Sequence, residues 1–571
     1  MQLSVRIPLE LGSHPERLDQ KVGLNPHPEV VASTVCSVDD RNTRSRRAKQ
    51  IFRERFDTKT AGSIDLIFGG SLRRFISSLV LLSAIPGIFG QTQQPQQLLP
   101  QPSQAPTAGS HQLNYFVYER ARGAGWQWFE APPYANSYGL GESLLRFGLS
   151  QDLTHWDWKI EATQATVFDA PNDAVSKNTA QGQLGFGGTY YASNANNSFP
   201  AALFLKQAYA RYDFDKSDKN IRLGRFEFFD GLETKPKNPT LAWLQPNRVA
   251  QRLVGNFSFT VAQRSFDGVD GHYGQGSWDI TAMAGRADQG VFNMNGNPEL
   301  NVDIQYLAYS KYQFDDRFLW RVFAIGYHDG RTGITKTDNR PLAVRQQDHQ
   351  NIRIGTYGAD FLTAIPAGPG QFDLLGWGVL QNGQWGYLNQ HSGAYAVEGG
   401  YQLMHVASTP WLRGGWFRGT GDNNPNDNKH GTFVELLPTP RGYARFPIYN
   451  LMNLEDGFVQ IVDRPMKKWE LRSDLHWLQL TSAKDLWYQG GGAFDNKVFG
   501  FTGRPSNGHS SFLTVEDISS DWHAKPYLDV NAYYAHAVGK TVIGTIYPAN
   551  RRGQLGYLEL VFHWSTGQPR P

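Results

Sequence analysis

The stretch Trp469-Glu470-Leu471-Arg472-Ser473-Asp474-Leu475-His476-Trp477 decides the fold. Trp469, Leu471, Leu475 and Trp477 share one parity, while Glu470, Arg472, Asp474 and His476 share the other. Successive side chains of a strand point to opposite faces, so this segment has one apolar surface and one fully charged surface. The same pattern recurs on both sides of it. Trp156, Trp158, Ile160 and Ala162 alternate with Asp157, Lys159 and Glu161; Ala208, Ala210 and Tyr212 with Gln207, Tyr209 and Arg211; Trp320, Val322 and Ala324 with Leu319, Arg321 and Phe323. Ile352 and Ile354 flank Arg353, Leu412, Gly414 and Trp416 oppose Arg413 and Phe417, and Leu528, Val530, Ala532 and Tyr534 oppose Asp529, Asn531 and Tyr533. A soluble sheet also alternates, but it wets its outer face with scattered polar groups. Here Arg, Glu and Asp stand together at mid-strand, which predicts an all-β fold: a membrane-spanning antiparallel β-barrel with lipid outside and water inside.

Composition agrees. The 571 residues are 13% aromatic, with 16 Trp, 25 Tyr, 34 Phe and 59 Gly, yet the mean hydropathy is only −0.47. Helical spans need about 20 mostly apolar residues each, and the one apolar stretch of consequence is Phe75 to Phe89. A barrel crosses lipid with a hydrophilic average because half of each strand faces water and the closed sheet satisfies its own backbone. At roughly 25 residues per strand and connection, residues 112–564 predict about 16 to 18 strands, an even count placing both ends in the periplasm. The last strand, Leu555 to Trp564, carries Leu558, Leu560, Phe562 and Trp564 on one face, an aromatic ending of the kind that barrel insertion machinery reads; residues 565–571 form a tail beyond it.

Ahead of the barrel, residues 71–90 have a basic start, an apolar centre and small residues before Gln91, the order of a secretory signal. Residues 1–70 then form an upstream leader, either from a start codon placed too far upstream or as a genuine long leader. Its cluster of Arg44, Arg46, Arg47 and Lys49 reads as translated upstream sequence or a solvated tail, not a nucleic-acid site. Residues 91–111 are a Gln/Pro-rich linker. The sole cysteine, Cys36, precedes the signal, which excludes disulfides and cysteine-based metal sites from an exported protein starting near Gln91. There are 13 Lys+Arg against 9 Asp+Glu before Gln91 and 42 against 43 from it onward, so the exported part is near neutral. Any charge preference must come from placement.

Four words carry a resemblance: RLGRFEFFDGL at 222–232, RLVGNF at 252–257, RSFDGV at 264–269 and GDNNPNDNKHGTFVELLPTP at 421–440. In this order and spacing they resemble the alginate export family of outer-membrane barrels over residues 112–564. The resemblance implies an 18-stranded monomeric barrel with a lumen of basic and acidic side chains, through which an anionic uronate polymer leaves the cell. Two functions then fit: export of an anionic, alginate-like polysaccharide, or a general or substrate-selective porin for uptake of small anionic solutes.

The residues supply their own expectations. Arg225 and Glu227 share a parity and are expected to enter the lumen together, the guanidinium attracting carboxylates and the acid keeping it from trapping them. Arg321, Arg353 and Arg413 each stand among apolar neighbours, where facing lipid costs about 2 to 4 kcal/mol near the midplane, so all three are expected to face inward. Lys159, Glu161, Arg211, Glu470, Arg472 and Asp474 complete a mixed-charge lining. Arg264 and Asp267 would face opposite ways on a regular strand. Asp422 and Asp427, among four asparagines, are expected in a loop that gates the mouth; their oxygens suggest a structural calcium at most, and no cofactor or metal is otherwise expected. Enzyme signatures fail: there is no G-x-S-x-G elbow, H-E-x-x-H or P-loop, and RPSNG at 504–508 has Arg504 where a base histidine would activate the serine.

Overall fold

Wherever the two-residue alternation was read, a strand forms. The structure is a computed structural model that describes residues 112–214, 218–439, 444 and 446–566. The leader, signal and linker expected over residues 1–111 lie outside the described residues, as does most of the tail. From the amino end run β1 (Leu113–Gln127), β2 (Ser137–Asp152), β3 (Trp156–Phe168), β4 (Ala201–Asp213), β5 (Lys219–Phe226), β6 (Phe266–Gln275) and β7 (Trp278–Asp288). They are followed by β8 (Glu299–Gln313), β9 (Phe318–Asp329), β10 (Ile352–Ala367), β11 (Gly370–Trp385), β12 (Leu388–Leu403), β13 (Trp411–Gly419) and the short β14 (Lys429–His430). The remainder are β15 (Leu454–Met466), β16 (Trp469–Leu480), β17 (Leu486–Gly490), β18 (Phe501–Pro505), β19 (Ser511–Lys525), β20 (Leu528–Gly539) and β21 (Arg552–Ser565). Eighteen of these span; β14, β17 and β18 belong to loops. Each spanning strand pairs antiparallel with its neighbours, and β1 pairs with β21 from Phe116↔Ser565 to Gln127↔Gln554, closing the barrel without an edge.

The ends of the barrel differ. On the side of the first and last strand termini the connections are short, for example 276–277, 368–369, 467–468 and 526–527. On the other side lie L1 (128–136), L2 (169–200), L3 (227–265), L4 (289–298), L5 (330–351), L6 (386–387), L7 (420–453), L8 (481–510) and L9 (540–551). Short turns face the periplasm and long loops the exterior in outer-membrane barrels, which orients the molecule. Among the described residues four short α-helices ride on the loops, α1 (Phe186–Ser193) in L2, α2 (Pro239–Leu244) in L3, α3 (Leu342–Gln346) in L5 and α4 (Thr541–Ile546) in L9, and a π-helical turn, Gln245–Val249, continues α2.

The outer wall matches a membrane. Leu203, Leu223, Leu380, Val397 and Leu412 are exposed at 60 to 72% and form its apolar band. Near the periplasmic turns aromatic rings meet in series, Trp156–Tyr212 at 4.8 Å, Tyr273–Trp278 at 5.6 Å, Trp278–Tyr309 at 6.2 Å and Tyr309–Trp320 at 5.4 Å between centroids. This is one interfacial girdle. Gly224 of the RLGRF word has φ +132°, and a Cβ there would lie 2.2 Å from the Ala208 carbonyl oxygen, so only glycine lets β5 lie against β4.

Candidate channel lumen

Inward-facing residues form charge clusters joined to loops that descend into the barrel. On the β2–β4 wall, Arg146 binds Glu161 and reaches Glu227 at 2.7 Å, Lys159 binds Glu161 at 2.5 Å, and Lys206 lies 3.7 Å from Glu227. Three cations face two carboxylates. Across the lumen, Glu398 of β12 receives Arg248 at 2.7 Å, Arg252 at 3.1 Å and Arg413 at 3.3 Å, and Arg413 also binds Asp373 at 3.0 Å. Among the described residues three cations again face two carboxylates, with the side chains of Arg248 and Glu398 fully buried. Arg321 pairs with Glu233 and Asp360, Arg472 with Asp474, and Arg122 with both Glu142 and Glu559. A buried charge is costly unless paired and hydrogen-bonded, so these clusters fix one another's geometry.

L3 supplies two of the second cluster's three cations because it runs the height of the barrel. Trp243 of α2 donates its indole N–H to Glu470 at 2.9 Å, and Thr240 donates to Gln402 at 3.0 Å, both partners at periplasmic strand ends. Asn238 caps α2 by accepting from the backbone of Thr240 and Leu241, and Pro239 fits its first turn. Returning upward, the chain gives the carbonyls of Ser258, Phe259 and Thr260 to Arg120. L7 then lies beside it: Val254 and Leu437 form a parallel bridge, and Arg264 donates to the carbonyls of Gly255 and Leu437 and to those of Gly491 and Ala493 in L8. One buried guanidinium thus ties three loops. Phe186, Phe257, Phe259, Phe292 and Phe494 pack around the same level, an apolar plug in the upper lumen.

Within L7, Glu435 is fully buried, and among the described residues no side chain hydrogen-bonds its carboxyl oxygens. Burial pushes it up to about 8, against the Leu451 amide and the Arg252 guanidinium. Burial also holds His430 down at about 4; its ring stacks on Trp385 at 4.2 Å.

The expected lining divides. Lys159, Glu161, Arg211, Arg321, Arg413, Glu470, Arg472 and Asp474 face inward, and Glu227 turns inward just past β5. Arg225 does not join it. Arg222 and Phe226 hold one face of β5 together, with the guanidinium 4.2 Å above the ring, so Arg225 falls on the outer face with the exposed Leu223 and pairs with Asp267. Arg353 also faces outward: Ile352 and Ile354 are buried inside, and Arg353 is exposed at the outer rim. Asp422 is buried, its oxygens accepting from the backbone of Asn424 and Gly431, while Asp427 accepts from Lys429 in an exposed turn. Among the described residues, no group of three or more His, Cys, Asp and Glu converges on a metal position. The RPSNG segment is a loop tie, with Arg504 donating to the carbonyls of Gln181 and Gln183.

The sequence model of the alginate export family matches residues 151–545. The chain belongs to the alginate export family. This exporter-family barrel is an outer-membrane channel, in fold and family a transport protein. Among curated proteins none matches the sequence. Solved structures resemble it at low identity: the outer membrane protein OpdK of Pseudomonas aeruginosa, 7% identical over 79% of this chain and 99% of that one, TM-score 0.45; and OccAB2 of Acinetobacter baumannii, 7% identical over 80% and 98%, TM-score 0.49. Arg248, Arg252 and Lys206, central to the family barrel's charge clusters, escaped the sequence reading. The first two lie in a loop without periodicity, and Lys206 is the residue skipped at the bulge where the β3–β4 register shifts.

Proposed function

We propose that this barrel exports an anionic, uronate-type polysaccharide across the outer membrane, acting as a monomer. The observation that supports this most is the cation excess in two separate lumen clusters, Arg146–Lys159–Lys206 and Arg248–Arg252–Arg413, each around two carboxylates. Positive charge in these two clusters attracts a polymer's carboxylates, while the acids beside it, and the carboxylate pairs around Arg321 and Arg122, keep any one contact weak enough to release. L3 and L7 serve as the gate, since their bridge and the Arg264 clamp fill the passage that a polymer must use.

That filled lumen also favours a second reading, uptake of small anionic solutes around the loops. Oligouronates and neutral glucan oligomers added to the purified protein in a planar bilayer separate the two. Export of polyuronate predicts current block by long oligouronates and none by glucans of the same length. Block confined to monomeric carboxylates supports uptake, and block by both polymers equally removes the charge argument.

A further inference from the structure

The β20–β21 connection holds a cationic cleft that the channel does not use. Lys540, Thr541, Pro548, Asn550, Arg551 and Arg552, together with Val538, line an open cavity of about 600 Å³. No carboxylate lines it, and among the described residues none lies within ion-pair distance of Lys540, Arg551 or Arg552. Elsewhere on the outer wall near the long loops Arg225 pairs with Asp267 and Arg286 with Asp303, while Arg353 stands as a single cation with no second one beside it in β10. Arg551 lies across Gly544, where a Cβ would sit 2.8 Å from its Cδ, so the glycine leaves room for the guanidinium. The Asn550 side chain accepts from the Arg552 amide and fixes the turn.

Position identifies the ligand. Arg552 shares its parity on β21 with the lipid-facing Leu558 and Leu560, exposed at 47% and 45%, and stands opposite Val538 in register. From Phe562, near the periplasmic end, to Arg552 the strand rises about 34 Å, or about 25 Å along the membrane normal after the usual tilt. That is the height of the apolar band, so the three cations stand at the outer-leaflet headgroups. Arginine forks match phosphate oxygens in pairs, and lysine adds a point charge.

We propose that this cleft binds the phosphorylated headgroup of an outer-leaflet glycolipid. The full-length protein in detergent is titrated with bisphosphorylated lipid A, with the same lipid after dephosphorylation, and with inorganic phosphate. The phosphorylated lipid should bind tightest, and K540Q/R551Q/R552Q should weaken it about tenfold or more while leaving the dephosphorylated lipid unchanged. The charge-preserving R551K/R552K should retain most of the affinity, and R552E alone, at an exposed position, should show the loss should the triple variant fail to fold. Equal affinity for both lipids, or inorganic phosphate binding as tightly as the lipid, would overturn the assignment. Binding of an oligouronate in preference to the phosphorylated lipid would also overturn it and hand the cleft to the exported polymer.

Discussion

At the scale of single residues, the informative cases are those where parity and environment disagree. Arg225 and Glu227 share a parity, but β5 ends at Phe226, and one residue past a strand the parity no longer binds. Arg353 sits between two isoleucines that fill the interior, because the upper lumen is packed with loops and is itself apolar, while the outer wall at that height has risen above the lipid. The rule that apolar means outward holds at mid-membrane and inverts at the loop-filled rim. Glu435 yields a prediction in pH. An acid whose pKa rises on docking holds a proton that the undocked loop releases, so docking of L7 weakens as pH climbs from about 4.5 through about 8. His430, depressed from 6.5 to about 4, acts in the opposite sense, weakening docking as pH falls through that window. His430 offsets Glu435 between about 4.5 and 6.5, and from about 6.5 to 8 the Glu435 loss is no longer opposed by it. Channel open probability in a planar bilayer should rise from pH 6.5 to 8, and Glu435→Gln should flatten that rise; an unchanged profile in the variant would remove Glu435 from the gate.

At the scale of elements, the spanning strands were legible because lipid on one side and water on the other impose strict alternation. The gate was legible only in part. The sequence words 252–257, 264–269 and 421–440 turn out to be where L3 and L7 meet, yet nothing local to them encodes a descent into the lumen; that follows from partners far apart in sequence, such as Arg264 and Gly491. Arg264→Ala should leave buried carbonyls unsatisfied and cost the loop assembly about 2 to 4 kcal/mol. Limited proteolysis checks it: faster cleavage within L3 and L7 with heat-modifiable gel mobility retained is expected, and wild-type protection would contradict the clamp. Val254 and Leu437 are paired across a parallel bridge, about 4.8 Å apart as neighbouring strands are. A V254C/L437C pair should form a disulfide in the barrel, which contains no other cysteine. Oxidation should lower conductance fluctuations and reductant restore them, and fluctuations unaffected by oxidation would place the gate elsewhere.

At the scale of the whole molecule, a near-neutral exported chain is expected to discriminate by the placement of its charge. Net composition gave no sign of preference, and the cation excess emerges only once L3 brings Arg248 and Arg252 to Glu398, and β4 brings Lys206 to Glu227. The most direct measurement is the reversal potential in a potassium chloride gradient for the wild type, for K159Q/K206Q, which turns the first cluster from three cations to one, and for R353Q on the outer wall. The account predicts an anion-selective wild type, a loss or reversal of that preference in K159Q/K206Q with the barrel still assembled, and no change in R353Q. A cation-selective wild type, or a shift in R353Q as large as that in the lumen variant, would contradict it.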